Sequence, residues 1–380
     1  MIRSAYIHIP FCHHICHYCD FNKVFFKQQP VDEYIESLIT EMHHAKEINK
    51  QQEPLKTIFI GGGTPTALSA KQLDRLLEGI STELLSTNEL VEFAVEANPG
   101  ELSIEKLEVL KNAGVNRLSI GVQSFDNELL NKIGRVHRKD DVFRTIKQAE
   151  QVGFDNLSLD LMYALPGQTI EQFRETLETA FTLNVKHFSA YSLIIEPKTV
   201  FYNLMQKGKL TLPPQEHEAQ MYELAMEEME KHGYKQYEIS NYAIPGYESQ
   251  HNLTYWNNEY YYGFGAGAHG YVNGVRTSNV GPIRKYMEKI DESGTAFSTQ
   301  TEVSKEEEME EQMFLGLRIV KGVNKEIFYE RFSVKLEEKF GSQIQKLVKQ
   351  GLLVNDDESL FLTHKGKLLG NEVFQEFLIS

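Results

Sequence analysis

Residues 5–22 read Ala5-Tyr6-Ile7-His8-Ile9-Pro10-Phe11-Cys12-His13-His14-Ile15-Cys16-His17-Tyr18-Cys19-Asp20-Phe21-Asn22. An apolar strand pattern over 5–9 runs directly into Cys12, Cys16 and Cys19, spaced C-x3-C-x2-C, and the chain has 3 cysteines in all. An odd, clustered set is no disulfide framework. Thiolates are soft ligands that suit an iron–sulfur cluster, zinc or Cu(I). A [4Fe–4S] cluster normally takes four cysteines, so three would leave one iron open to an exchangeable ligand. Two other readings stay open on spacing alone. The cysteines could be inert core residues, or they could join His13, His14 or His17 in a Cys3His zinc site. The zinc reading lacks a second Cys pair elsewhere in the chain.

Working outward, the first two-thirds of the chain alternates short apolar runs with amphipathic ones. Strands are expected over 5–9, 57–60, 91–96, 117–121, 157–162 and 187–193. Helices are expected over 32–48, 69–80, 103–112, 140–151, 170–183 and 215–232. Ser69 with Gln72 three residues on has the capping-box pattern, and glycines stand just past several helix ends. Alternating β and α predicts a parallel sheet with right-handed crossovers. Six βα units are too few for a closed eight-stranded barrel but enough for an open, partial one, with chemistry at the carboxyl ends of its strands. The expected organisation is α/β: a partial (βα)6 barrel over 1–200, a less regular α+β extension over 201–300, and a winged-helix-like module over 301–380.

Composition narrows the function classes. Lys plus Arg is 39 and Asp plus Glu is 54, a net charge of −15 over 380 residues. Such an acidic balance argues against a nucleic-acid or membrane-surface binder. The run Glu306 to Glu311 is acidic and no basic recognition helix is evident, so the C-terminal module fits a docking or lid role better than DNA reading. No apolar run is long enough to span a membrane, and no signal-peptide pattern opens the chain. A cytoplasmic protein is expected.

Several polar residues stand at the ends of the expected strands. Gly61-Gly62-Gly63-Thr64-Pro65 follows the second, and glycines allow close approach to a backbone and can present N–H groups to an anion. Glu96, Gln123 and Asp160 each interrupt an apolar run, and burying them demands partners. Singly, each could be a hydrogen bond at the barrel mouth; together they read as one ligand pocket. A separate stretch, His251-Asn252-Leu253-Thr254-Tyr255-Trp256, holds the chain's one tryptophan. An imidazole among aromatic rings suits a haem, as it also suits an aromatic loop packed on the barrel.

The cysteine motif with an aromatic before its last Cys, followed by GGGTP, GVQSF and DLMYALPGQT, resembles the radical S-adenosylmethionine (SAM) superfamily. Within it, the chain is similar to the group of oxygen-independent coproporphyrinogen III oxidases and HemW haem chaperones. The resemblance covers nearly the whole chain. It implies a [4Fe–4S] cluster on Cys12, Cys16 and Cys19, with SAM on the open iron as a source of a 5′-deoxyadenosyl radical. It implies SAM contacts from Gly62, Gly63, Thr64, Glu96, Gln123 and Asp160, Arg135 beside the SAM carboxylate, and Tyr6 and Tyr18 near the cluster. In the oxidase branch the motif is typically followed by Gly and a fourth Cys, and a longer arm precedes it. Here Asp20-Phe21 follows, and eleven residues precede Cys12. C-x3-C-x-Y-C-D-F and H-N-x-x-Y-W both resemble the chaperone branch. That branch implies haem as cargo, His251 as a haem ligand, a second ligand among His13, His14, His17 and His269, and an acceptor protein, respiratory ones included. A homodimer is compatible with this, though no feature demands one. The alternative function is the oxidase itself, an oxidative decarboxylase of porphyrin metabolism.

Overall fold

The computed structural model describes residues 1–49, 54–85 and 90–378. Six parallel strands follow one another in chain order: β1 (Ile2–Ile9), β2 (Thr57–Gly62), β3 (Glu92–Ala97), β4 (Arg117–Gln123), β5 (Leu157–Tyr163) and β6 (His187–Ser192). Each pairs in parallel with the next. The helices between them form one layer: Val31–Ile48 packs on Ala70–Leu84, that on Ile104–Asn112, and that on Lys139–Val152. A sheet wound in one direction under a single helical layer is the partial barrel expected from six βα units. The Ser69–Gln72 capping box forms, with the Ser69 hydroxyl accepting from the Gln72 N–H.

The barrel does not close. Beyond β6 lie Asn241–Ala243 and Lys235–Glu238; beyond β1 lies Tyr260–Phe264, parallel to it, then His269–Val272, Val275–Asn279 and Phe297–Glu302. The irregular stretch after residue 200 therefore lengthens the barrel's own sheet to twelve strands. Strand β2 also runs on to Gly62, past the expected end at 60, because Gly61 and Gly62 still pair with His8 and Ile9.

The C-terminal residues have a separate core that includes Phe328, Phe332, Phe340, Leu347, Leu360 and Phe377. Helices Lys325–Phe332 and Leu336–Lys349 pack against a three-stranded antiparallel sheet, the winged-helix-like arrangement. The last helical stretch is divided in two, His364–Leu368 and Gly370–Gln375, because Leu369 leaves helical geometry at φ −115° and ψ 29°. Residues 379 and 380 of this segment lie outside the described residues. A bidentate Arg276–Glu311 pair ties the module to the sheet, and Arg331, held within the module by Glu308, donates to the Asn258 carbonyl at 2.8 Å. Among the described residues no helix is long and apolar enough to cross a membrane.

The sheet extension is held to the first helix by one buried carboxylate. Glu41, on Val31–Ile48, accepts from Gly265 N–H at 2.8 Å, Tyr286 O–H at 2.7 Å and Asn279 Nδ2 at 2.7 Å. Removing it strands three buried donors, so Glu41→Leu should cost about 2–4 kcal/mol in urea unfolding. Burial pushes the Glu41 carboxyl up to about 7, against the pull of its donors. A folded-state value above the unfolded one means this group favours folding most below pH 4.5, and that contribution is lost as the pH rises to about 7. Urea midpoints of Glu41→Gln across this range should lack that decline.

Candidate functional site

The three cysteines sit where the chain leaves the carboxyl end of β1. The Gly63 N–H donates to the Ile9 carbonyl at 2.8 Å and the Thr64 N–H to the Phe11 carbonyl at 2.9 Å, which carries the strand pairing past Pro10. A Cβ on Gly63 would stand 2.8 Å from the Ile9 oxygen and the Pro10 carbonyl carbon, so only glycine allows this approach. Gly62 is at φ +111°, and a Cβ there would meet the His8 ring at 2.3 Å. The Gly62 N–H donates to Glu96 Oε2 at 2.9 Å. All three amides of this run are thus bonded within the protein. The expectation that they present N–H groups to an anion is corrected: the glycines serve close packing, and their amides are spent on the chain itself.

Cys12, Cys16, Tyr18, Cys19, Gly62, Gly63, Thr64, Glu96, Gln123, Arg135 and Asp160 line one cavity of about 420 Å³. Of the expected site residues, Tyr6 and His251 do not reach it. Both line a second cavity of about 300 Å³, toward the other end of the barrel, which shares Phe21, Gly62, Glu96, Ser119, Asp160 and Tyr191 with the first.

Local structure sets each side chain. Gln123, the last residue of β4, has φ +65°, and the β4–β5 register shifts between Gly121 and Gln123. Such a bulge re-aims a side chain, and strain of this kind gathers at functional sites. Asp126 caps the short helix Asn127–Lys132, Gly134 turns at φ +77°, and Arg135 comes back across Gly121 to bond its carbonyl. A Cβ on Gly121 would meet Arg135 Nη2 at 2.5 Å. Arg135 Nη1 approaches Cys16 Sγ at 3.5 Å, and Thr64 Oγ1 approaches Cys12 Sγ at 3.5 Å. Ser119 donates to both oxygens of Asp160 at 3.1 and 3.2 Å, and Asn98 donates to Thr64 Oγ1 at 3.0 Å. Ser119 and Asn98 also line the cavity. Sequence reasoning passed over both, although Asn98 lies two residues beyond Glu96 and Ser119 alternates with apolar neighbours, each a readable signal.

Burial dominates the electrostatics. It pushes the Glu96 carboxyl up to about 7, against its Gly62 bond and with help from Asp160, and it raises Asp160 as well. It pushes the Cys12 thiol up to about 11 and raises Cys19. Burial thus biases Cys12 and Cys19 toward the thiol, and a metal must displace those protons to bind.

The donor set fits an iron–sulfur cluster. Three soft sulfurs face one cavity, two of them beside N–H or O–H donors of the kind that stabilise thiolate and sulfide charge. Arg135 Nε is buried there with no partner, a donor in reserve. Among the described residues no three His, Cys, Asp or Glu side chains stand in a finished cage for one ion. The zinc alternative called on histidines that point three ways. His13 tilts against Phe26 at 4.8 Å, His14 is exposed, and His17 bonds the Lys132 carbonyl at 2.9 Å.

His251 stands at the opposite, amino-terminal end of the barrel. Its Nδ1 pairs with Thr57 Oγ1 at 2.9 Å, Thr57 being the first residue of β2, and its Nε2 pairs with Tyr255 O–H at 2.8 Å. The ring is 1% exposed, and burial pushes its pKa down to about 3. The sequence suggested an imidazole with a nitrogen to offer haem iron; in this fold both nitrogens are engaged. His269, another candidate ligand, is exposed on its strand and lines neither cavity.

Residues 6–180 match the radical SAM superfamily and residues 303–369 the HemN C-terminal domain. The chain is 58% identical over 378 residues to the heme chaperone HemW of Bacillus subtilis (strain 168), covering 99% of both chains. It is 49% identical to the heme chaperone HemW of Lactococcus lactis (strain IL1403), over 100% of this chain and 98% of that one. The chain belongs to the HemW family of the radical SAM superfamily. Its fold is also that of Escherichia coli coproporphyrinogen III oxidase (HemN), with a TM-score of 0.85 at 24% identity over 98% of this chain and 89% of that one.

The site makes a steric prediction. Gly63→Ala should push β2 away from Ile9 and Pro10, costing about 1–3 kcal/mol in denaturant melts and lowering the iron retained after anaerobic reconstitution. A variant with unchanged stability and iron would show that the close approach is dispensable.

Proposed function

We propose that this protein is a haem chaperone: it binds haem, passes it to an acceptor protein, and carries a [4Fe–4S] cluster with exchangeable SAM. The observation that carries the reading is the convergence of Cys12, Cys16 and Cys19 with Gly62, Gly63, Thr64, Glu96, Gln123, Arg135 and Asp160 on one cavity. It is joined by high identity, over nearly the full length, to relatives named as heme chaperones.

In this reading the three cysteines are the cluster ligands. Thr64 and Arg135 donate toward two of the sulfurs, which favours the thiolate form. Gln123, Asp160 and Glu96 supply the polar wall for SAM, and Tyr18 closes the cavity beside Cys16. Arg135, with its spare Nε donor, pairs with the SAM carboxylate. Tyr6 lines the second cavity and acts through its bond to His8 at 3.0 Å. When bound and reduced, the cluster supplies one electron for cleavage of SAM; the protein's own part is to hold the ligand in register and keep water and oxygen out. The reading places the protein in the cytoplasm, with haem and a haem-accepting protein as partners. It assigns the cofactor chemistry to residues 1–200, sheet extension to 201–300 and docking to 301–380. A homodimer fits but is not required by it.

Anaerobic reconstitution tests this directly. The wild type should hold about four irons and four sulfides per chain and bind hemin, and Cys12→Ser/Cys16→Ser/Cys19→Ser should retain neither iron nor sulfide. Zinc without iron in the wild type would defeat the assignment. Incubation with coproporphyrinogen III, SAM and reductant should leave the substrate unchanged; protoporphyrinogen as product would move the protein to the oxidase branch.

A further inference from the structure

We propose that haem is seated on the outer rim of the cysteine cavity, with His14 as an axial ligand and Phe21 and Ile194 against the macrocycle. This rests on the haem-carrier reading above and locates its cargo.

The inner cavity by itself does not enclose a haem, and it opens toward the cysteine cavity through shared lining residues, Phe21 among them. That second cavity holds about 300 Å³, the room of roughly ten water molecules. A haem has about forty non-hydrogen atoms and needs a cleft nearer the upper end of the range for ligand pockets. The floor is closed as well, since His251 is buried with both nitrogens bonded.

The rim offers what the interior lacks. His14 lines the mouth of the cysteine cavity and is exposed, and no hydrogen bond or ring contact engages it. The other imidazoles nearby are hydrogen-bonded or, for His13, line a different cavity. His8 bonds Tyr6 and the Asn22 carbonyl, His13 tilts against Phe26, and His17 bonds the Lys132 carbonyl and packs edge-on to Phe201. Phe21 is 60% and Ile194 67% exposed, and both line the same mouth as His14. Exposed large apolar side chains on the lining of one cavity mark a site that is covered in use. An imidazole nitrogen beside flat apolar surface is the donor set that holds a haem iron and its ring. The propionates would stay in water at the rim, avoiding the cost of burying charge. A surface seat also suits cargo that must leave, because release to an acceptor needs no opening of the barrel.

Spectroscopic titration with hemin and with iron-free protoporphyrin IX tests the seat. His14→Ala should weaken hemin binding by roughly tenfold or more and shift the Soret band. It should leave iron-free protoporphyrin IX binding and reconstituted iron and sulfide as in the wild type. Phe21→Ser/Ile194→Ser should weaken both porphyrins, because it removes ring contact and not the ligand. An unchanged Soret band and hemin affinity in His14→Ala overturns the proposal, as does a ligand-loss spectrum in His251→Gln with His14→Ala unaffected. A wild type that binds no hemin fails differently: it removes the haem-carrier reading itself.

Discussion

The amides of Gly63 and Thr64 donate to the carbonyls of Ile9 and Phe11, and the geometry of the site depends on that short extension of the β1–β2 pairing. It holds the chain against its neighbour through Pro10, where a parallel strand would ordinarily peel away into its loop. Cys12 is thereby set beside Thr64, and the loop bearing Cys16 and Cys19 starts from a fixed point. The contact is possible only because position 63 has no side chain, the nearest backbone atoms standing 2.8 Å from where a Cβ would be. The central place of β1, paired on one side with β2 and on the other with Tyr260–Phe264, makes this anchor rigid.

The two ends of the barrel are built on different physics. At the mouth, soft sulfurs, a buried arginine and carboxyls raised by burial surround open space. At the floor the groups around His251 bond one another, while the Trp256 indole N–H is buried without a partner. Glu92 is buried, lies 3.7 Å from the Arg117 guanidinium, and accepts from the Ser249 hydroxyl and the Gln250 and His251 amides. It thus caps the short helix Gln250–Trp256 that carries the His251-Asn252-Leu253-Thr254-Tyr255-Trp256 motif. Thr254 bonds Ser4 at 2.9 Å from the same helix, and Arg318 of the C-terminal region lies over Trp256 at 5.2 Å. The motif is a plug that joins the barrel floor to the C-terminal module.

Much of the fold was legible because its signals are local. Six β–α alternations, the Ser69 capping box and the glycines past helix ends depend on residues a few positions apart, and the strands formed within a few residues of their expected bounds. What could not be read was partnership between distant segments. Nothing near residue 270 says that its strand will continue the sheet of β1, and nothing near Leu369 shows that the last helix breaks there. The site divided in the same way. Cys12, Glu96, Gln123 and Asp160 were readable because each follows or ends a strand, and strand ends of a parallel barrel share one face. Ser119 and Asn98 were missed because their importance lies in what they bond across the sheet.

The sequence by itself determined the chemistry available: three thiols and no fourth, a glycine run, and buried acids at strand ends, in an order that specifies a one-way parallel sheet. Only the tertiary structure decided where that chemistry stands. It spent the glycine amides on the chain, set His251 at the floor with both nitrogens bonded, and left His14, Phe21 and Ile194 exposed at the mouth. The physical reason is that residue type and spacing fix which bonds a side chain can make, whereas burial and the partners brought by distant segments fix which of them remain free.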